Sequence, residues 1–110
     1  MRLAHSDGYI QGSGVRIRAR HPVVAAHLIG DRVVVVYDWM AFEPGTPARN
    51  LYCYGLNGEE LWRAGDIGMG ATDAYTAVLK EEPLWLGNFA GFDCQIDPTT
   101  GKVLDRSFTK

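Results

Sequence analysis

The feature that most constrains this chain is a sheet-forming segment that occurs twice. Asp31-Arg32-Val33-Val34-Val35-Val36-Tyr37-Asp38-Trp39 matches Glu81-Glu82-Pro83-Leu84-Trp85-Leu86-Gly87-Asn88-Phe89 at an offset of 50, with charge on charge at the turn and Asp-Trp on Asn-Phe at the strand end. Further on, Cys53 matches Cys94 at an offset of 41, and Gly58-Glu59-Glu60-Leu61-Trp62 corresponds to Gly101-Lys102-Val103-Leu104-Asp105. The two offsets differ by nine, which an insertion in the loop at 40–49 accounts for. A repeat of this kind fixes architecture before any single motif does, because each copy is one supersecondary unit that needs a neighbour to bury its apolar face.

Period-2 patterning sets the type of unit. Val15-Arg16-Ile17-Arg18-Ala19-Arg20 alternates strictly and reads as an N-terminal strand with its arginines on one face. Val23 to Ile29 and the β-branched run Arg32 to Trp39 read as a hairpin around Gly30-Asp31, the second strand being buried on both faces. Residues 40–49 hold two prolines and a glycine and read as a loop. Asn50–Tyr54 and Glu60–Ala64 flank Asn57-Gly58, a strong hairpin dipeptide. Three glycines make 65–73 a flexible connector, with room for only a short helical turn near Gly70–Tyr75. Tyr75–Lys80, Leu84–Asn88, Phe92–Asp97 and Lys102–Arg106 complete a second meander, with the last turn at Pro98-Thr99-Thr100-Gly101. The expected fold is all-β within a single domain: two four-stranded antiparallel meanders packed together, unit one about 22–64 and unit two about 74–108, plus an N-terminal strand.

The segment Asn50-Leu51-Tyr52-Cys53-Tyr54-Gly55-Leu56-Asn57-Gly58-Glu59-Glu60-Leu61-Trp62 resembles the repeat of quinoprotein-type β-propellers: a strand, a turn with glycine, a charged residue, then an aliphatic–tryptophan pair. Phe92-Asp93-Cys94-Gln95-Ile96-Asp97-Pro98-Thr99-Thr100-Gly101-Lys102-Val103-Leu104 is similar, closer at its turn but without the tryptophan. The resemblance implies blade-like sheets, as in small bacterial proteins of unknown function that carry paired repeats, and it transfers no cofactor ligand. Two blades do not close a propeller, which takes typically about four or more. Either the sheets pack face to face, the N-terminal strand covering an edge, or several chains complete one another's blades. The face-to-face arrangement needs no partner and is the expected one.

Composition narrows the function classes. A net charge of −2 excludes a strongly cationic nucleic-acid binder, so nucleic acid is not the expected partner. Residues 1–50 carry six arginines against four acids, and residues 51–110 five bases against nine acids, so one chain's basic end attracts another's acidic end. Two cysteines without CxxC spacing read as reduced, buried small hydrophobes, and the histidines His5, His21 and His27 lack the spacing of a metal site. The longest central apolar run, Val33 to Tyr37, is five residues, far short of the about 20 needed to cross a bilayer. With no apolar signal-like stretch over residues 1–14, the expected location is the cytoplasm and no membrane contact is expected.

No catalytic constellation emerges: the serines lack a GxSxG context and the paired glutamates lie at hairpin turns, where carboxylates are solvated. No cofactor and no metal are expected. The candidate partner-binding residues form two groups. Arg16, Arg18 and Arg20 project from one strand face about 7 Å apart, a row able to grip phosphates or an acidic protein face, or simply to solvate an edge strand against strand addition. Trp39, Met40 and Phe42 lie in or beside the inserted loop, and loops carry recognition more often than strands. The other aromatics, Tyr37, Tyr52, Tyr54, Trp62, Trp85 and Phe89, suit the core of a small β domain. The expected function is a non-enzymatic protein-binding or accessory module, with an inhibitor or immunity-type role as one version. Its rivals are a small-molecule pocket or weak hydrolase where the sheets meet, lined by Trp39, Asp38, Arg18 and His27, and a self-assembling structural unit such as a homo-oligomer.

Overall fold

The computed structural model describes residues 1–109. Its strands fall into three consecutive antiparallel meanders. The first sheet comprises β1 (Ala4–Ser6), β2 (Tyr9–Gly12) and β3 (Val15–Arg18). The second holds β4 (Val23–Ile29), β5 (Arg32–Tyr37), β6 (Leu51–Gly55) and β7 (Glu60–Arg63). The third holds β8 (Tyr75–Lys80), β9 (Trp85–Asn88), β10 (Phe92–Ile96) and β11 (Val103–Phe108). The all-β class and the two four-stranded sheets are as the patterning predicts.

The second sheet lies in the middle. Val33, Val34, Val35 and Val36 are all fully buried, because the odd-numbered pair faces the first sheet and the even-numbered pair faces the third. Between the first and second sheets pack Leu3, Ile10, Val15 and Ile17 against Val33, Val35, Tyr37, Tyr52 and Tyr54. Between the second and third pack Val34, Val36, Leu51, Cys53 and Trp62 against Tyr75, Leu84, Leu86, Cys94 and Ile96. The β-branched run is thus the shared wall of two cores.

The N-terminal region is more than the single strand expected of it. Asp7-Gly8 and Ser13-Gly14, with φ of 52°, 82°, 49° and 80°, make two tight hairpin turns, so β3 is the last strand of a three-stranded sheet lying on a face. The edge of β4 is covered instead by residues 1–3: Leu3 N–H donates to Ala26 O at 2.8 Å and Leu28 N–H donates to Met1 O at 2.7 Å. β3 also ends at Arg18, which takes Arg20 out of the arginine row.

The offset match at the cysteines needs a one-residue correction. Cys53 pairs with Val34 and Trp62, Cys94 with Leu86 and Arg106, and both side chains enter the layer between the second and third sheets, from opposite walls. A slip of one residue in a strand reverses the face. The row of the third sheet that points the same way as Val34–Cys53–Trp62 is therefore Trp85–Gln95–Asp105. Both cysteines are free and fully buried, and burial pushes each thiol up to about 11, so neither offers a reactive thiolate at neutral pH.

The glycine-rich connector is pinned rather than loose. Asp73, buried at its end, accepts from the Ile67 and Met69 amides at 2.6 and 3.2 Å and from Asn88 Nδ2 at 3.0 Å, which folds 67–73 around one carboxylate. A short 3-10 turn over Gly70–Thr72 precedes it. Asn50, equally buried, joins the two four-stranded sheets: its Nδ2 donates to Tyr37 O at 2.7 Å and to Tyr75 O at 2.8 Å, and its Oδ1 accepts from Tyr75 N–H at 2.9 Å.

Candidate functional site

The segment between β5 and β6 is the long inserted loop, and its local chemistry decides what it shows to solvent. Asp38 ends the strand by capping a 3-10 turn over Trp39–Ala41, its Oδ1 accepting from Met40 N–H at 2.9 Å. The turn throws Trp39 and Met40 outward, 50% and 73% exposed. It turns Phe42 back inward, where the ring meets His21 at 4.6 Å and Tyr52 at 6.4 Å between centroids, with the Arg63 guanidinium 5.6 Å from its centre. The loop returns to the sheet at Ala48, whose N–H donates to Asp73 O at 3.0 Å. Loop and connector are therefore tied together.

A cleft of about 250 Å³ lies between them, lined by Trp39, Met40, Phe42, Pro44, Ala48, Ala71 and Ala74, with Glu43 its one charged wall residue. Phe89, 65% exposed, extends the apolar rim: its ring stacks on Trp39 at 6.4 Å and 15°. Ligand pockets for drug-sized molecules run from about 300 to 1,000 Å³. This cleft is smaller and open, and it suits one inserted side chain.

The candidate residues thus separate. Trp39, Met40 and Phe42 meet at one cleft, Phe42 as a half-buried floor rather than a free contact. The three arginines line none of it. Arg16 and Arg18 stand on the outer face of the first sheet, Arg16 with its guanidinium 4.0 Å from the centre of the Tyr9 ring. Arg20 bonds Glu60 at 2.6 Å and lies over Tyr54. The lining imagined for a small-molecule pocket does not assemble either. Asp38 is spent on the turn, His27 Nδ1 meets Glu81 Oε2 at 2.7 Å, and Arg18 belongs to the first sheet. Among the described residues no three His, Cys, Asp or Glu side chains converge as metal ligands. Two aromatics expected in the core are not there: Phe89 is exposed beside Trp39, and Trp85 lies on the outer face of the third sheet, because strand alternation turns each away from the layer that buries Leu86 and Cys94. The alignment of Phe89 with the loop residue Trp39 is the one sequence signal that separates it from the core set.

His21 couples this loop to pH. Its ring is packed edge-on to Tyr37 at 5.1 Å and against Phe42. Burial first, then the Arg63 and Arg20 charges, hold its pKa below the ordinary value. The folded state therefore binds fewer protons at this site than the unfolded state. Stability is expected to fall as pH drops through the ordinary histidine range, about 6.5 and below. His21→Phe removes the titrating ring but keeps the packing. The loss of melting temperature between about pH 7.5 and about pH 5.5 is expected to be smaller in the variant; an equal loss removes His21 from this role.

The family model of a domain of unknown function, DUF7957, matches residues 4–108. No curated protein and no solved structure matches the chain. No helix among the described residues is long and apolar enough to cross a membrane.

Proposed function

We propose, from the premise that this chain belongs to the DUF7957 family of domains of unknown function, that it is a non-enzymatic protein-binding module whose contact surface is the loop at 39–46 with Phe89. The observation that carries this reading is the grouping of three large exposed apolar side chains, Trp39, Met40 and Phe89, around a cleft of side-chain size. Contiguous exposed apolar surface rimmed by polar residues marks interaction sites, and aromatic and methionine side chains are enriched there. The loop is held from behind by Asp38, Phe42 and Ala48, so a partner docks on a formed surface. The partner of this reading is a protein that inserts one aromatic or aliphatic side chain into the cleft. An inhibitor or immunity-type role is one version. The two free, buried cysteines support a cytoplasmic setting for it.

A photo-crosslinking amino acid at Met40, compared with one at Gln11 on the outer face of the first sheet, tests the reading in cells. Crosslinks to a defined protein from position 40 and not from position 11 support it. No crosslink from position 40, or the same products from both, removes it. With that partner purified, Trp39→Ala is expected to weaken binding by at least about tenfold. The same change is expected to alter stability by no more than about 1 kcal/mol, since the ring is half exposed.

A further inference from the structure

Both internal layers of the stack use the same device. The last strand of one sheet lays a side chain over the glycine in the final hairpin turn of the next sheet. Ile17 of β3 covers Gly58, where a Cβ would stand 3.6 Å from Ile17 Cγ2. Trp62 of β7 covers Gly101, where a Cβ would stand 2.5 Å from the indole, and Trp62 Nε1 donates to Pro98 O at 2.9 Å. In the first sheet the corresponding turn glycine is Gly14, with φ +80°. Among the described residues nothing lies within 4 Å of the position its Cβ would take. In the third sheet the counterpart of Trp62 is Asp105, exposed on β11 and paired through Gln95 to Trp85. The stack ends in an empty acceptor turn on one side and an unused covering residue on the other.

The two end faces carry opposite charge. Residues 1–20 hold four arginines against one aspartate, and Arg16 and Arg18 point outward from β3 beside Tyr9. Residues 74–108 hold five acids against three bases. By strand alternation Asp105 ends the outward Lys80–Trp85–Gln95 row, and Asp93 points outward one row along, so this face carries two carboxylates against the one ammonium of Lys80.

We propose that the chain associates with itself head to tail, the first sheet of one copy stacking on the outer face of the third sheet of the next. Asp105 covers the Gly14 turn, and Asp93 and Asp105 face Arg16 and Arg18. Such a contact is heterologous, so it closes into a ring if the rotation per step allows and otherwise grows as a filament. It uses neither Trp39 nor Met40, so it stands or falls apart from the partner-binding reading.

Light scattering on the full chain over a concentration series at low ionic strength tests this. The expected result is a mass that rises above 12.1 kDa with concentration and falls back in high salt. Arg16→Glu/Arg18→Glu and, separately, Asp93→Lys/Asp105→Lys are each expected to stay monomeric, with circular dichroism melts confirming that both fold. Mixing the two variants is expected to restore assembly, because each reversed face then meets its complement. A wild-type chain that is monomeric at every concentration overturns the proposal. So does assembly that either pair of substitutions leaves unchanged, or two monomeric variants that do not recover on mixing.

Discussion

Asn50→Leu is expected to cost about 3–5 kcal/mol, a large part of the about 5–15 kcal/mol that holds a domain together. Leucine matches the asparagine in shape but removes three fully buried hydrogen bonds at once. The Tyr37 and Tyr75 carbonyls and the Tyr75 amide lose partners in a place that water does not reach. The damage is concentrated because the side chain spans two sheets. Its backbone carbonyl already accepts from Tyr37 N–H at 2.9 Å, so the same residue fixes the start of β6 against the end of β5. Asn50→Asp discriminates the cause: the shape and the acceptor remain, yet two carbonyls then face a carboxylate instead of an amide. Both variants are expected to lower the urea midpoint severely, with aspartate at least as damaging as leucine near neutral pH. Midpoints within experimental error of the native chain would show that this junction is not where the two sheets are held.

Gly101→Ala carries the second large effect, about 3 kcal/mol or more. Two costs coincide. The backbone at φ +78° lies in the left-handed region, where a Cβ is strained. That Cβ would also stand 2.5 Å from Trp62 Cε3. The indole has little freedom to retreat, since its Nε1–H is bound to Pro98 O and the ring is 8% exposed. Trp62→Phe makes room by removing the larger ring. In the double variant Gly101→Ala/Trp62→Phe the two losses are expected to sum to less than their separate values, which a double-mutant cycle on urea midpoints measures. Strict additivity would mean that the backbone conformation alone carries the cost.

What a reading of the residues can reach is visible in particular segments. The run Val33–Val36 announces a strand with two buried faces, and Asn57-Gly58 announces the turn between β6 and β7. The loop insertion relative to the second repeat singles out the segment that presents Trp39 and Met40. β1 and β2 are harder, because they are short and only Ile10 is fully buried among their residues; the signal was the Asp7-Gly8 dipeptide. The equivalence of Cys53 and Cys94 fails for a different reason. Two buried strands of similar composition align almost as well one residue out of step, and only the pairing partners reveal which way each side chain points. Asn50 and Asp73 stay concealed because polar residues in loops look like ordinary turn formers. Their importance comes from burial that depends on how distant segments meet. The arginine row separates because β3 ends at Arg18, where Ala19 N–H turns to Gly8 O.

The middle sheet, walled by Val33–Val36, shares one buried cluster with each of its neighbours, and among the described residues no buried cluster joins the two outer sheets to each other. Cooperativity in such an arrangement passes from neighbour to neighbour, as in a short linear array. Either terminal meander can detach while the other layer stays closed. Loss of the central meander strips both terminal ones of their support at once. Transient opening in this chain therefore begins at its extremities, and the most persistent backbone protection belongs to β5.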